Sequence, residues 1–291
     1  MKKIINDPTA VVDEMLDGLA YIHSDLVYRV EGFDIIARKS EKTGKVGLIS
    51  GGGSGHEPSH AGFVGEGMLS AAICGAVFTS PTPDQVLQAI KEADEGAGVF
   101  MVIKNYSGDI MNFEMAQEMA EMEGIEVASV VVDDDIAVED SLYTQGRRGV
   151  AGTILVHKIL GNAARAGKSL TEIKALADEL VKYIHTVGLA LSGATVPEVG
   201  KPGFVLADDE IEFGIGIHGE PGYRKEKMQP SKDLAKELVE KLSQSVELKS
   251  GKKIGILING MGATPLMEQY VFAADVAQLL AEAGVEVVYK K

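Results

Sequence analysis

The apolar positions of this chain fall into short unbroken runs separated by amphipathic stretches. "KVGLIS" (45–50) is one run and stops at a cluster of glycines; "AGVFMVIKNY" (97–106) and "IEVASVVVDDD" (125–135) are two more. Consecutive apolar residues over such short lengths predict strands buried on both faces. Between the runs lie helical patterns. "PTPDQVLQAIKEADEG" (81–96) opens on Pro and Asp and closes on Gly, and "NFEMAQEMAEMEG" (112–124) also closes on Gly, as helices do. Strands alternating with helices predict βαβ units on a largely parallel sheet. Met111, Met115, Met119 and Met122 recur at helical spacing and share a face, which predicts that the methionines pack into the core.

From 153 to 193 the pattern is helical. "ATVPEVGKPGF" (194–204) then interrupts it with Pro and Gly, and a new series begins. It predicts a strand at "EIEFGIGIHG" (210–219), a helix at 231–244, a strand at "KKIGILIN" (252–259), a glycine loop "GMGATP", a helix over 266–284 and a strand at "VEVVYK". The expectation is two α/β domains, each a mixed or largely parallel sheet flanked by helices. The first spans 1–190 and the second 191–291.

The chain has 291 residues, 45% of them hydrophobic, enough for two cores. Its formal net charge of −15 argues against a nucleic-acid partner, which needs clustered Lys and Arg. No apolar run is long enough to span a bilayer, and "MKKIINDPTA" lacks the apolar core of a secretory signal, so the expected location is cytoplasmic. Cys74 is the single cysteine; it allows no intrachain disulfide and reads as a buried structural thiol.

Three stretches can carry chemistry. "GGGSGHE" (51–57) follows a strand, where open α/β sheets bind ligands. It resembles a phosphate-binding P-loop in outline, but His56 and Glu57 replace the lysine and the hydroxyl residue, so phosphate and Mg²⁺ ligation are unsupported. His60 lies close by. The competing reading is a tight turn that needs the glycines for shape alone, which the nearby His56, Glu57 and His60 disfavour. "IKNYSGDIMNFE" (103–114) places Lys104, Tyr106 and Asp109 at a strand's carboxyl end; Asp109 is either a functional carboxylate or the N-cap of the following helix, and Lys104 either functional or a solvated loop residue. In "EFGIGIHGEPG" (212–222), period two puts Glu212, Gly214, Gly216 and His218 on one face. The glycines would leave room for a small molecule against the imidazole, although a structural histidine is the alternative. His23, His157 and His185 read as structural or surface residues. No zinc-protease or hydrolase-elbow motif occurs, and no metal site is expected.

Taken together, "GGGSGHEPSHAGFVGEGMLSAAICGAVFTSPTPDQV", "KNYSGDIMNFEMA" and "DEIEFGIGIHGEPG" resemble the substrate-binding subunit of dihydroxyacetone kinases, and the similarity runs on through "NGMGATPLMEQY" to the end. Family members continue past the point where this chain stops, so the resemblance implies either a second domain truncated at its C-terminus or one that lacks the last elements. It implies that His218 adds through Nε2 to the carbonyl of dihydroxyacetone as a hemiaminal, that His56 is general acid or base, and that Asp109 assists at the hydroxyl to be phosphorylated. Gly53, Ser54, Gly55 and Lys104 match the substrate-contacting positions. The resemblance further implies a homodimer, no cofactor on this chain, and a phosphoenolpyruvate-linked system. In that system a DhaL subunit carries ADP and Mg²⁺ and a third protein, DhaM, recharges it. The competing expectation is a dihydroxyacetone sensor that acts as a transcriptional coactivator.

Overall fold

The computed structural model describes residues 2–142 and 144–291. The first part of the chain builds a six-stranded sheet from β1 (Val27–Arg29), β2 (Ile35–Arg38), β3 (Gly47–Ser54), β4 (Ala71–Val77), β5 (Val99–Lys104) and β6 (Val127–Val132), in the order β1-β2-β4-β3-β5-β6. The β4-β3-β5-β6 core is parallel, and β1 and β2 add an antiparallel edge. Helices cover both faces, which is why β5 is buried at every position. Phe100 and Val102 point to one side, against Leu16 of α1 (Val11–Ile22), Val156 and Leu160 of α4 (Thr153–Arg165) and Ile173 of α5 (Leu170–Leu180). Met101 and Ile103 point to the other, against Val86 and Ile90 of α2 (Pro83–Ala93) and Phe113 and Ala116 of α3 (Ser107–Met122).

Three sequence expectations change here. The strand expected to end before the glycines runs through them, to Ser54. A Cβ at Gly51 would lie 2.6 Å from the Ile73 carbonyl oxygen, and one at Gly53 would lie 2.5 Å from the Thr79 amide nitrogen. These glycines let β3 press against β4 and the turn beyond it. The methionine stripe of α3 does not form the core: Met111, Met115 and Met122 are exposed, and Phe113, Ala116 and Ala120 face the sheet instead. The helical stretch expected to reach 193 ends in a short 3-10 turn, Val181–Tyr183.

The rest of the chain forms smaller units. β7 (Leu189–Ala190), β8 (Glu210–Phe213) and β9 (Arg224–Lys227) make an antiparallel sheet in that order. β7 lies before residue 191 yet pairs with Phe213 and Glu212 of β8. α6 (Ser231–Ser243) packs Leu234 and Leu238 on Ile211 and Phe213. β10 (Lys253–Ile256) pairs in parallel with β11 (Glu286–Lys290), and the connecting α7 (Leu266–Glu282) packs Val276 and Leu280 beside Val285. Among the described residues no helix is long and apolar enough to cross a membrane. Cys74 is buried in β4, directly opposite Gly52 of β3.

Candidate active site

The carboxyl ends of β3, β4 and β5 open toward one loop of the antiparallel sheet. His56 follows β3, Phe78 follows β4, and Lys104, Tyr106 and Asp109 follow one another across the end of β5 and the first turn of α3. Asp109 is not the N-cap of α3; Tyr106 holds that place, and Asp109 lies in the first turn with its carboxyl buried. The helix N-terminus still favours negative charge there.

His218 arrives from β8 by a route that differs from the period-two reading. β8 ends at Phe213 because Gly214 takes φ +74°, a conformation that turns the chain out of the sheet. The room expected beside the imidazole is filled: a Cβ at Gly216 would lie 2.0 Å from Glu220 Oε2 and 2.7 Å from Arg148 Nη1. Arg148, fully buried, pairs with Asp135 at 2.6 Å and donates from Nη2 to the Gly214 carbonyl at 2.7 Å, which ties the His218 loop to the large sheet. Gly216→Ala is therefore expected to displace Glu220, cost about 1–3 kcal/mol of stability and lower occupancy of any ligand on His218. Unchanged thermal unfolding and unchanged ligand occupancy by mass spectrometry would contradict this.

Glu220 is the residue that sequence reasoning missed. Its Oε2 accepts the His218 backbone N–H at 2.9 Å, and its Oε1 lies 3.1 Å from His218 Nδ1. Burial alone would raise its pKa, but the His218 hydrogen bonds hold it below the usual glutamate value. A carboxylate only accepts, so His218 carries its proton on Nδ1 and presents a lone pair at Nε2. That Nε2 faces His56 Nε2 at 3.1 Å, which makes His56 the donor of this contact. Burial, with Lys104 and His218 adding to it, pulls the His56 pKa down to about 2, so its ring is neutral. His56 stacks on Phe78, ring centroids 4.9 Å apart, and Tyr106 sets its ring edge against His218 at 4.8 Å.

A second histidine pair lies behind this one. Lys104 Nζ is 2.9 Å from His60 Nε2, and His60 Nδ1 is 3.0 Å from His157 Nε2. Lys104 is buried as the last residue of β5, not a solvated loop lysine, and His157 of α4 is fully buried in this chain of contacts. Burial lowers the Lys104 pKa to about 8, against the pull of Asp109 and Asp134. Burial raises that of Asp109, with Ser80, Lys104 and His218 opposing, and Asp109 Oδ1 has no partner among the described residues. Asp109 and His60 meet over Gly52, where a Cβ would lie 3.7 Å from Asp109 Oδ2 and 3.8 Å from His60 Nε2.

His218, His56, Asp109 and Lys104 thus come together from three places in the chain: the end of β3, the β5–α3 junction and the loop after β8. Gly53 and Ser54 lie in the β3–β4 ladder, and the Ser54 hydroxyl donates to the Gly75 carbonyl at 2.7 Å, so that side chain already has its partner. Gly55 takes φ +102° and its N–H bonds the Glu57 carboxylate at 3.0 Å. Among the described residues no group of three or more His, Cys, Asp or Glu could hold a metal ion.

A family profile described as the Dak1 domain matches residues 17–290. The PTS-dependent dihydroxyacetone kinase, dihydroxyacetone-binding subunit DhaK, of Lactococcus lactis subsp. lactis is 69% identical over 290 residues, which cover 100% of this chain and 87% of that protein. The DhaKLM operon coactivator DhaQ of the same organism is 46% identical, covering 99% of this chain and 88% of its own. Among solved structures, the dihydroxyacetone kinase of C. freundii superposes with a TM-score of 0.87 at 34% identity, over 98% of this chain and 52% of that one.

Proposed function

Because the chain belongs to the Dak1 domain family, we propose that it is the dihydroxyacetone-binding subunit of a PTS-dependent dihydroxyacetone kinase, a phosphotransferase with an alcohol group as acceptor. The observation that carries the mechanism is the Glu220–His218–His56 alignment, in which Glu220 holds Nδ1–H and Nε2 is turned toward His56.

Dihydroxyacetone replaces the direct His56–His218 hydrogen bond: the contact opens, and the carbonyl group enters with its carbon toward His218 Nε2 and its oxygen toward His56. His218 Nε2 forms a bond to that carbon, the carbonyl π pair moves to oxygen, and His56 Nε2–H delivers a proton there. The positive charge left on the His218 ring is offset by Glu220, to which Nδ1–H already points. The balance closes when the His218 ring gives up its Nδ1 proton to Glu220, which passes it to solvent, and His56 takes a proton back from solvent. The product is a neutral hemiaminal. Only a carbonyl compound can form it, so glycerol is rejected by chemistry, and the anchored substrate presents its terminal hydroxyl in a fixed position. Asp109, with its free Oδ1 and raised pKa, takes the proton of that hydroxyl as it attacks phosphorus. Lys104 donates to the substrate oxygens from the same side.

In this reading the subunit works as a homodimer. The phosphoryl group arrives on a DhaL-type partner carrying ADP and Mg²⁺, whose cation neutralises the transferred charge; DhaM recharges that partner. The decisive test is reconstitution. Mixed with a DhaL subunit and a phosphoryl donor, the protein forms dihydroxyacetone phosphate; adduct without any phosphorylated product would sink the kinase assignment. The second reading, a dihydroxyacetone-sensing coactivator, draws on the 46% identity to DhaQ and is the one that such an outcome would favour. His56→Asn is expected to lower kcat roughly 10²–10⁴-fold in the reconstituted system while slow adduct formation persists; unchanged kcat would remove His56 from acid–base chemistry.

A further inference from the structure

Lys104 is a buried cation whose ammonium, among the described residues, has a single hydrogen-bond partner, and that partner is not a carboxylate but His60 Nε2. An ammonium only donates, so His60 Nε2 is a lone pair and the His60 proton is on Nδ1. That proton is donated to His157 Nε2, which places the His157 proton on Nδ1 in turn. There the chain stops: His157 Nδ1 is buried with no partner among the described residues. A proton conductor would need an onward acceptor, and simple packing would be met by apolar side chains without an orphaned N–H. What the arrangement does supply is an oriented neutral acceptor beneath a cation.

We propose that His60, backed by His157, is a positioning residue that holds the Lys104 ammonium in the reaction site opposite Asp109. The proposal rests on the reading of Lys104 as a donor to the substrate. Both imidazoles suit the task because burial keeps them neutral, His60 well below the usual histidine value and His157 at about 3, so neither repels the cation. The charged and titratable groups facing Lys104 are Asp109 on α3, Asp134 just after β6, His56 and His60 after β3, and His157 on α4. The two carboxylates and the His60 hydrogen bond favour the ammonium, while burial opposes it. Removing the acceptor leaves burial less opposed, so Lys104 loses its proton at a lower pH.

Two conservative variants separate the contacts. The amide of asparagine falls near the position of histidine Nδ1, so His60→Asn keeps the contact to His157 and loses the one to Lys104. Glutamine reaches the position of Nε2, so His60→Gln keeps an acceptor for Lys104. In protein labelled with ¹³C-lysine, the Lys104 ε-methylene is expected to titrate near 8 in the parent. In His60→Asn it moves down by about one pH unit or more, and in His60→Gln it returns toward the parent value. The alkaline limb of kcat/KM should move with it, and kcat at pH 8 should fall about fivefold or more in His60→Asn, as the ammonium fraction falls. An unchanged Lys104 midpoint in a folded His60→Asn overturns the proposal, whatever the activity. Absence of a His218 adduct in the parent overturns the functional reading instead, and the lysine titration still decides this one.

Discussion

Replacement of His218 by asparagine abolishes the covalent adduct and lowers kcat roughly 10⁴-fold or more, the order of loss seen when a residue that forms the covalent intermediate is removed. Asparagine is the informative substitution because its amide N–H falls where Nδ1–H stood. Glu220, which is 2% exposed, then keeps a donor and the loop keeps its shape. Alanine would leave that carboxylate without its side-chain donor and would mix a stability defect into the result. Intact-mass measurement after incubation with dihydroxyacetone reads the outcome directly. An adduct that persists in His218→Asn would overturn the assignment of the nucleophile.

Asp109→Asn produces the opposite pattern: the adduct forms normally and turnover falls roughly 10²–10⁴-fold. Asparagine matches the carboxylate in shape, so the buried first turn of α3 should tolerate it. What disappears is the basic oxygen. Burial raises the Asp109 pKa above the usual aspartate value, which makes the carboxylate a stronger base once ionised. The parent's kcat should therefore fall as pH drops through that raised value, because the protonated form cannot accept the hydroxyl proton. In Asp109→Asn this acidic limb disappears. Equal turnover in the two proteins would exclude Asp109 as the base.

The large sheet was legible because burial on both faces leaves a plain mark, as in 97–106, where the apolar run contains all of β5. β3 was only half legible. Glycines carry no apolar signal, and their purpose, contact with Ile73 and with Phe78–Thr79, involves residues some twenty positions away. The methionine face misled for a different reason. Periodicity shows that a helix has distinct faces, but here small Ala116 and Ala120 beside Phe113 pack inward, Met119 packs at the edge of that core, and Met111, Met115 and Met122 remain outside. At the site, His56, Asp109 and His218 were found through motifs, whereas Glu220, His60 and His157 were not assigned roles. A glutamate two residues from a histidine meets it only once Gly214 and Gly219 have turned the loop, and His157 meets His60 only through the packing of α4 on the sheet.

The position of Cys74 gives the molecule a built-in reporter. It is the only thiol in the chain, it is 5% exposed, and burial pushes its pKa up to about 12, so a thiol reagent cannot modify it at an appreciable rate while the sheet is closed. Modification must wait until β4 parts from the glycine tract of β3, since Gly52 is its cross-strand neighbour. The labelling rate of the unmodified natural protein therefore measures how often the floor of the site comes apart, and its slowing by dihydroxyacetone measures how firmly the ligand keeps that floor shut.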